Sequence, residues 1–84
     1  MNFVKFKTLL DDQMNWPDYY SFKFVVKSVQ KDSLLEVLEN HTITERMSRN
    51  GNFVSVTSRK LVHSSDDVVE VYRQASKIEG ILSM

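Results

Sequence analysis

An Asn-Gly pair, Asn50 and Gly51, constrains the fold more than any other feature, because segments rich in β-branched residues flank it on both sides. Both residues tolerate a positive φ, as the central positions of a two-residue hairpin turn require. The pair therefore predicts two antiparallel strands joined at this point. The turn also sets their register, in which the opposing pairs are Met47 with Val54, Glu45 with Val56, and Ile43 with Ser58.

This register separates the hairpin into an apolar face and a polar face. The apolar face carries Ile43, Met47, Val54 and Val56. The polar face carries Thr44, Arg46, Ser48, Phe53, Ser55, Thr57 and Arg59. Since side chains alternate between the two sides of a strand, we predict that the first face points into the core and the second is the outer face of a sheet.

The segment YYSFKFVVK, ahead of the hairpin, predicts a further strand with the same alternation. Its inner positions are Tyr20, Phe22, Phe24 and Val26. Its outer positions are Ser21, Lys23, Val25 and Lys27. We therefore expect aromatic rings on the core side of this strand and lysines on its outer side.

Two segments have the apolar periodicity of helices. The first is KDSLLEVLENH, in which Asp32 is the candidate N-cap. Its apolar face consists of Leu34, Val37 and Leu38. The second is SSDDVVEVYRQASKIEG, in which Ser64 or Ser65 is the N-cap and Gly80 follows the last turn. Its apolar stripe consists of Val68, Val71, Tyr72, Ala75 and Ile78.

The last residues, ILSM, predict a short final strand and complete the element order β-α-β-β-α-β. We predict an α+β fold, a ferredoxin-like sandwich in which a four-stranded sheet carries two helices on one face. Residues 16–84 are expected to form this domain. Residues 1–15 are expected to precede it as a short N-terminal arm or helix.

The N-terminal segment has two interpretations. Pro17 disfavours a helical conformation at Trp16, so a helix that contains Phe6 and Leu10 must end before it. Trp16 and Tyr19 are expected to fold the arm against an edge of the domain, which makes the apolar residues simple packing. Alternatively, a free arm would present Phe3, Phe6 and Leu10 as a ridge that docks onto a partner.

The composition excludes several classes of protein. Lysine plus arginine and aspartate plus glutamate both number 11, so no overall attraction to nucleic acid or anionic lipid is expected. Cysteine is absent, which excludes disulfides and thiolate chemistry. No segment resembles a signal peptide or approaches the roughly 20 apolar residues of a membrane span. We expect a cytoplasmic protein that has no cofactor and does not enter a membrane.

Several segments together resemble a known family. WPDYYSFKFVV, SRNGNFVSVT and VEVYRQASKIEGI are similar to the YbeD-like family of small bacterial proteins, domain of unknown function 493. The resemblance covers residues 6–84. It implies a ferredoxin-like fold similar to the small-molecule-sensing ACT domains, a regulatory role and no assigned catalytic residues. Several relatives carry glycine just after the first strand, where this chain has Lys27 and Ser28.

Residues with catalytic or metal-binding chemistry occur here in patterns that favour structural roles. His41 closes the first domain helix, where we expect capping or packing, and His63 has no metal-ligand spacing to it. The run of residues 63–67, His-Ser-Ser-Asp-Asp, is better explained as a strand end and helix cap than as a hydrolytic triad. We therefore predict no catalytic, cofactor or metal site and no enzymatic activity.

The remaining candidate for function is an interaction surface. We predict that it consists of Phe53, Arg46, Lys23 and Arg59 on the outer sheet face, together with Phe3 and Phe6 of the arm. The expected function is that of a regulatory or adaptor module that contacts an unidentified protein. The alternatives are single-stranded RNA binding through the same face and ACT-like sensing of a small molecule. A homodimer through a sheet edge or face is also left open.

Overall fold

The computed structural model describes residues 2–84, which form one four-stranded antiparallel sheet and three α-helices. The elements are α1 (Phe3–Gln13), β1 (Asp18–Lys27), α2 (Lys31–Val37), β2 (Thr42–Met47), β3 (Phe53–Val62), α3 (Ser65–Ala75) and β4 (Leu82–Ser83). The strands are arranged in the order β2-β3-β1-β4, with each neighbouring pair antiparallel. This is the predicted ferredoxin-like sandwich, with β1 and β3 at its centre.

The core lies between one face of the sheet and the helices. The alternation predicted for β1 is confirmed, because Phe22, Phe24 and Val26 are fully buried and Tyr20 is half-buried. The Phe22 and Phe24 rings stack with their centroids 6.4 Å apart, and the Tyr72 ring meets them edge-on at 5.3 and 5.7 Å. Aromatic contacts between β1 and α3 therefore hold the helical layer on the sheet.

The hairpin has the predicted register but a wider turn. Met47 pairs with Val54, Glu45 with Val56 and Ile43 with Ser58, as expected. The prediction of a two-residue turn was wrong, since Ser48 N donates to Phe53 O at 2.8 Å across a loop of residues 49–52. The register is unchanged because the longer loop, like the predicted turn, is centred between Asn50 and Gly51.

Hydrogen bonds of Asn50 explain the wider turn. Its Oδ1 accepts from Asn52 N at 3.1 Å and from Ser48 Oγ at 3.0 Å, so its side chain closes the turn without a positive φ at Asn50. Gly51 alone within the loop takes a positive φ, of 77°. The Asn-Gly pair thus reverses the chain by side-chain capping at one residue and by backbone freedom at the next.

The predicted N-cap is confirmed for α3 and was wrong for α2. Ser64 caps α3, because its Oγ accepts from Asp67 N at 3.2 Å while Asp67 Oδ2 accepts from His63 N at 3.0 Å. Asp32 does not cap α2. It lies in the first turn, because a short 3-10 turn at Ser28–Gln30 leads directly into the helix and makes Gln30 the cap residue.

The N-terminal helix α1 packs against α3. Leu10 is buried, and the Phe6 ring meets the Tyr72 ring edge-on at 5.6 Å. An ion pair between Lys7 and Asp66 joins the same two helices. The described arm is therefore docked, in line with the packing interpretation, and Tyr72 bridges α1 to the sheet.

The aromatic residues after α1 divide between two surfaces. Trp16 is half-buried, and its Nε1 donates to Asp11 Oδ1 at 3.1 Å, which fastens the end of α1 as predicted. Tyr19 was expected beside it and lies elsewhere. It occupies an outward position of β1, opposite Leu61, because the strand already begins at Asp18 and its side chains alternate from there.

Candidate interaction surface

The outer face of the sheet is the surface that none of the helices in residues 2–84 covers. By strand register it comprises Tyr19, Ser21, Lys23, Val25 and Lys27 of β1, Thr42, Thr44 and Arg46 of β2, Phe53, Ser55, Thr57, Arg59 and Leu61 of β3, and Leu82 of β4. It contains four cationic side chains and, within residues 2–84, no carboxylate. Strand alternation places these side chains on one side of the sheet, whereas the carboxylates of the same strands, Asp18 and Glu45, have inward register positions.

Phe53 lies at one end of this face, as the hairpin pattern predicted. Its side chain is 43% exposed, whereas that of its neighbour Val54 is 2% exposed. In the antiparallel register Phe53 stands opposite Lys27 of β1. The ring is therefore partly open to solvent, and a lysine occupies the opposing position of β1.

Phe53 forms a wall shared by two shallow hollows. The Met47 hollow, about 210 Å³, is lined by Val25, Arg46, Met47, Ser48, Phe53 and Ser55. The turn hollow, about 410 Å³, is lined by Lys27, Ser28, Val29, Gly51, Asn52 and Phe53. Each hollow has one cation in its lining and no carboxylate, so both present the same combination of apolar surface and positive charge.

Two hydrogen bonds join residues that line the turn hollow. Ser28 N donates to Asn52 O at 2.9 Å, and Ser28 Oγ donates to Gly51 O at 2.5 Å. These bonds tie the end of β1 to the hairpin turn. The side chain of Val29, by contrast, is exposed.

The predicted surface residues do not all form one cluster. Phe53 and Arg46 line the same hollow, and Lys23 lies on the neighbouring central strand opposite Thr57. Arg59 lies six residues beyond Phe53 along β3, roughly 20 Å away. Its guanidinium lies over the Tyr19 ring, 4.3 Å from the ring centroid. This cation–π contact engages Arg59 at the end of the face opposite Phe53.

Phe3 and Phe6, the remaining predicted residues, lie on α1 and on the opposite side of the molecule from the outer face. Both are half-buried against the core. The Arg73 guanidinium lies 5.7 Å from the Phe3 ring centroid. They therefore do not extend the Phe53 surface, and their partner-binding role stays a prediction about a separate site.

His41 has a packing environment. Its Nδ1 lies 3.1 Å from Ser58 Oγ, and its ring centroid lies 5.5 Å from that of Phe22. Ser58 is almost fully buried on the inner face of β3, so His41 supplies the hydrogen-bond partner that a buried hydroxyl needs. Burial, and secondarily the nearby charge of Lys60, lowers the pKa of His41.

A third hollow, about 480 Å³, lies between β3 and the helices. Val37, Val62 and Val71 contribute apolar lining, and His63, Asp67 and Glu70 are among its polar residues. Asp67 is engaged in the cap of α3, as described above. No group of residues in the described part of the chain is arranged to hold a metal ion.

Sequence reasoning missed the contribution of Met47 and Leu82 to the outer side. Met47 has an inward register position, yet it is 61% exposed, because it is the last residue of β2, an edge strand whose residues are mostly exposed. Leu82 is 60% exposed and pairs with Val25. The position of Leu82 beside Val25 depends on how β4 pairs with β1, for which the sequence carries no turn signal.

The fold and its surface define a small α+β sandwich with an open, cationic sheet face. Over residues 11–84 the chain matches the family described as "Protein of unknown function (DUF493)", and it belongs to that family. The predicted resemblance is thereby confirmed, and no catalytic family is indicated.

Curated relatives support the same assignment. A UPF0250 protein of Shewanella sediminis is 30% identical over 81 residues, covering 88% of this chain and 92% of the relative. UPF0250 proteins of Shewanella oneidensis and Shewanella amazonensis are 30% and 28% identical over the same extent. No solved structure matches the chain significantly. No helix within residues 2–84 is both long enough and apolar enough to span a membrane.

Proposed function

We propose that this chain is a non-enzymatic regulatory or adaptor module that binds another protein through the outer face of its sheet. The observation that carries the proposal is the exposed ring of Phe53 between two hollows on a face that contains four cations and no carboxylate within the described residues. Aromatic residues, methionine and arginine are enriched in protein interfaces, so Phe53 beside Met47 and Arg46 favours a contact surface over a solvated sheet face.

Affinity capture tests this proposal. The protein is immobilised, exposed to bacterial lysate, and compared with a Phe53→Asp variant by mass spectrometry. A Val4→Asp variant is the matched control, because Val4 is an exposed apolar residue on α1, away from the sheet face. We expect the wild type and the control to retain a partner that Phe53→Asp loses. A set of captured proteins that is the same for all three would contradict the proposal.

Single-stranded RNA binding is a second candidate, supported by an exposed aromatic ring on a sheet face that carries four cations. Lysine and arginine would contact phosphates, and Phe53 would stack on one base. Filter binding of an oligouridylate at two salt concentrations tests this function. Affinity that falls steeply with salt supports it, since phosphate contacts release counterions.

Small-molecule sensing is a third candidate, supported by the turn hollow at the junction of β1 and α2. A ligand that occupies it would stabilise the folded protein by mass action. Thermal unfolding in the presence of amino acids or lipoyl compounds measures this stabilisation. Replacement of Val29 by Trp, which would fill the opening, is expected to abolish the shift.

A further inference from the structure

The charges of this neutral protein are separated between its two sides. The outer face carries Lys23, Lys27, Arg46 and Arg59. Most of the carboxylates lie on the helices, at Asp11, Asp12, Asp32, Glu36, Asp66, Asp67 and Glu70. The net charge of the whole chain is therefore zero although the two sides differ in charge. The outer face has a positive potential that extends roughly a Debye length into solution.

The cations of the outer face are not used in ion pairs of the described residues. Those ion pairs are Lys7 with Asp66, Lys31 with Glu45, and Arg73 with Glu70. All three involve the helices. Lys27 and Arg46, which line the two hollows beside Phe53, are therefore available to a carboxylate from outside the chain.

The apolar groups beside these cations suit a polypeptide. Val25 and Met47 line one hollow with Phe53, and Leu82 lies next to Val25 across the β1–β4 pair. Aliphatic side chains of this kind complement aliphatic or aromatic side chains of a partner. Strand-type surfaces that bind single-stranded nucleic acid offer several aromatic rings for successive bases, whereas Phe53 stands alone at this end of the face.

We propose that the outer face binds an acidic protein segment that crosses Phe53, places an apolar side chain in the Met47 hollow, and pairs its carboxylates with Lys27 and Arg46. This inference rests on the proposed function and specifies its partner by charge. Charge complementarity favours an acidic partner, because the face combines cations with an absence of carboxylates over residues 2–84.

A titration of the ¹⁵N-labelled full chain tests the inference. The probes are a short synthetic peptide with two leucines flanked by glutamates, the same peptide with lysine in place of glutamate, and an oligouridylate of ten nucleotides. We expect the glutamate peptide to shift amide signals of β1 and β3 near Phe53 and to bind more weakly as salt is added. The lysine peptide is expected to cause no saturable shift.

Variants of the cations give the sharper comparison. The double variant Lys27→Gln/Arg46→Gln should bind the glutamate peptide about tenfold more weakly, as the loss of two exposed ion pairs predicts. The control Lys5→Gln/Lys77→Gln removes the same charge from the helical side and should bind like the wild type. Spectra of the unbound variants establish that each remains folded.

Three results would overturn the inference: no saturable binding of the glutamate peptide, equal binding of the lysine peptide, or tighter binding of the oligouridylate at the same face. These outcomes are distinct from failure of the proposed function. A captured partner that depends on Phe53 but binds Lys27→Gln/Arg46→Gln unchanged would leave the adaptor role supported and remove only the acidic partner. If the Phe53→Asp variant captured the same proteins as the wild type, the adaptor role itself would be contradicted.

Discussion

Phe53 and Val54 are consecutive residues of β3 whose side chains lie on opposite faces of the sheet, with Phe53 partly exposed and Val54 buried. Their pairing partners differ accordingly. Phe53 stands opposite Lys27 on the outer face, and Val54 stands between Met47 and Val26 on the inner face. This single alternation separates the residue proposed to bind from the residue that stabilises the core.

Alanine substitutions at these two positions should therefore differ in their effect on the free energy of unfolding. Val54→Ala is expected to lower the free energy of unfolding by about 2 kcal/mol, because it leaves a cavity in the core. Phe53→Ala should lower it by less than about 1 kcal/mol, because much of the ring is exposed. Urea unfolding followed by circular dichroism measures both. Equal losses would mean that Phe53 is a structural residue.

Removal of the buried contact of α1 should destabilise the whole domain. Leu10→Ala is expected to lower the free energy of unfolding by about 2–4 kcal/mol in a single cooperative transition, since Leu10 joins α1 to the core. Leu9 is exposed on the same helix and provides the matched control, Leu9→Ala, with a much smaller expected loss. A separate early transition for α1 would instead support an arm that undocks independently.

Stability should decrease as the pH falls below about 6.5, the ordinary pKa of histidine. The pKa of His41 is lowered in the folded protein by burial and by Lys60, so the unfolded chain takes up the proton first. The associated stability is complete above pH 6.5 and is lost as the pH falls through the lower, folded pKa. His41→Gln should remove this part of the pH dependence in urea unfolding between pH 8 and 5.

His63→Gln is the control for this prediction. His63 is exposed, and its side chain makes no hydrogen bond in the described structure, so its replacement should retain the loss of stability contributed by His41. The same pH profile in the wild type and His41→Gln would contradict the role of the buried imidazole.

The hairpin turn should tolerate substitution poorly at Gly51. Gly51→Ala is expected to cost about 1–2 kcal/mol, because the φ of 77° is unfavourable for a residue with a Cβ. Steric contact adds little, since the nearest atom to that Cβ would be Met47 Sδ at 3.7 Å. Asn50→Gly removes the side-chain bonds of the turn and tests the capping contribution separately. No loss from Gly51→Ala in urea unfolding would show that the turn relaxes into another conformation.

Much of the fold could be predicted from local patterns. Alternating apolar residues in β1 and β3 identified the inner and outer faces, and the symmetric loop preserved the hairpin register although its turn type was predicted incorrectly. The cap of α3 followed from Ser64 and the acidic residues after it. The cap of α2 did not, because an additional 3-10 turn shifted the start of the helix relative to Asp32.

The sequence by itself determined which side chains face outward, because alternation is a property of each strand and needs no knowledge of its neighbours. Only the tertiary structure decided which of them are close together. It places Met47 and Arg46 beside Phe53 and Leu82 next to Val25. It also places Arg59 on the Tyr19 ring, at the end of the face away from Phe53. Such neighbours depend on the order of the strands and on the part of the sheet that the helices cover. Both arise from packing among segments far apart in the chain.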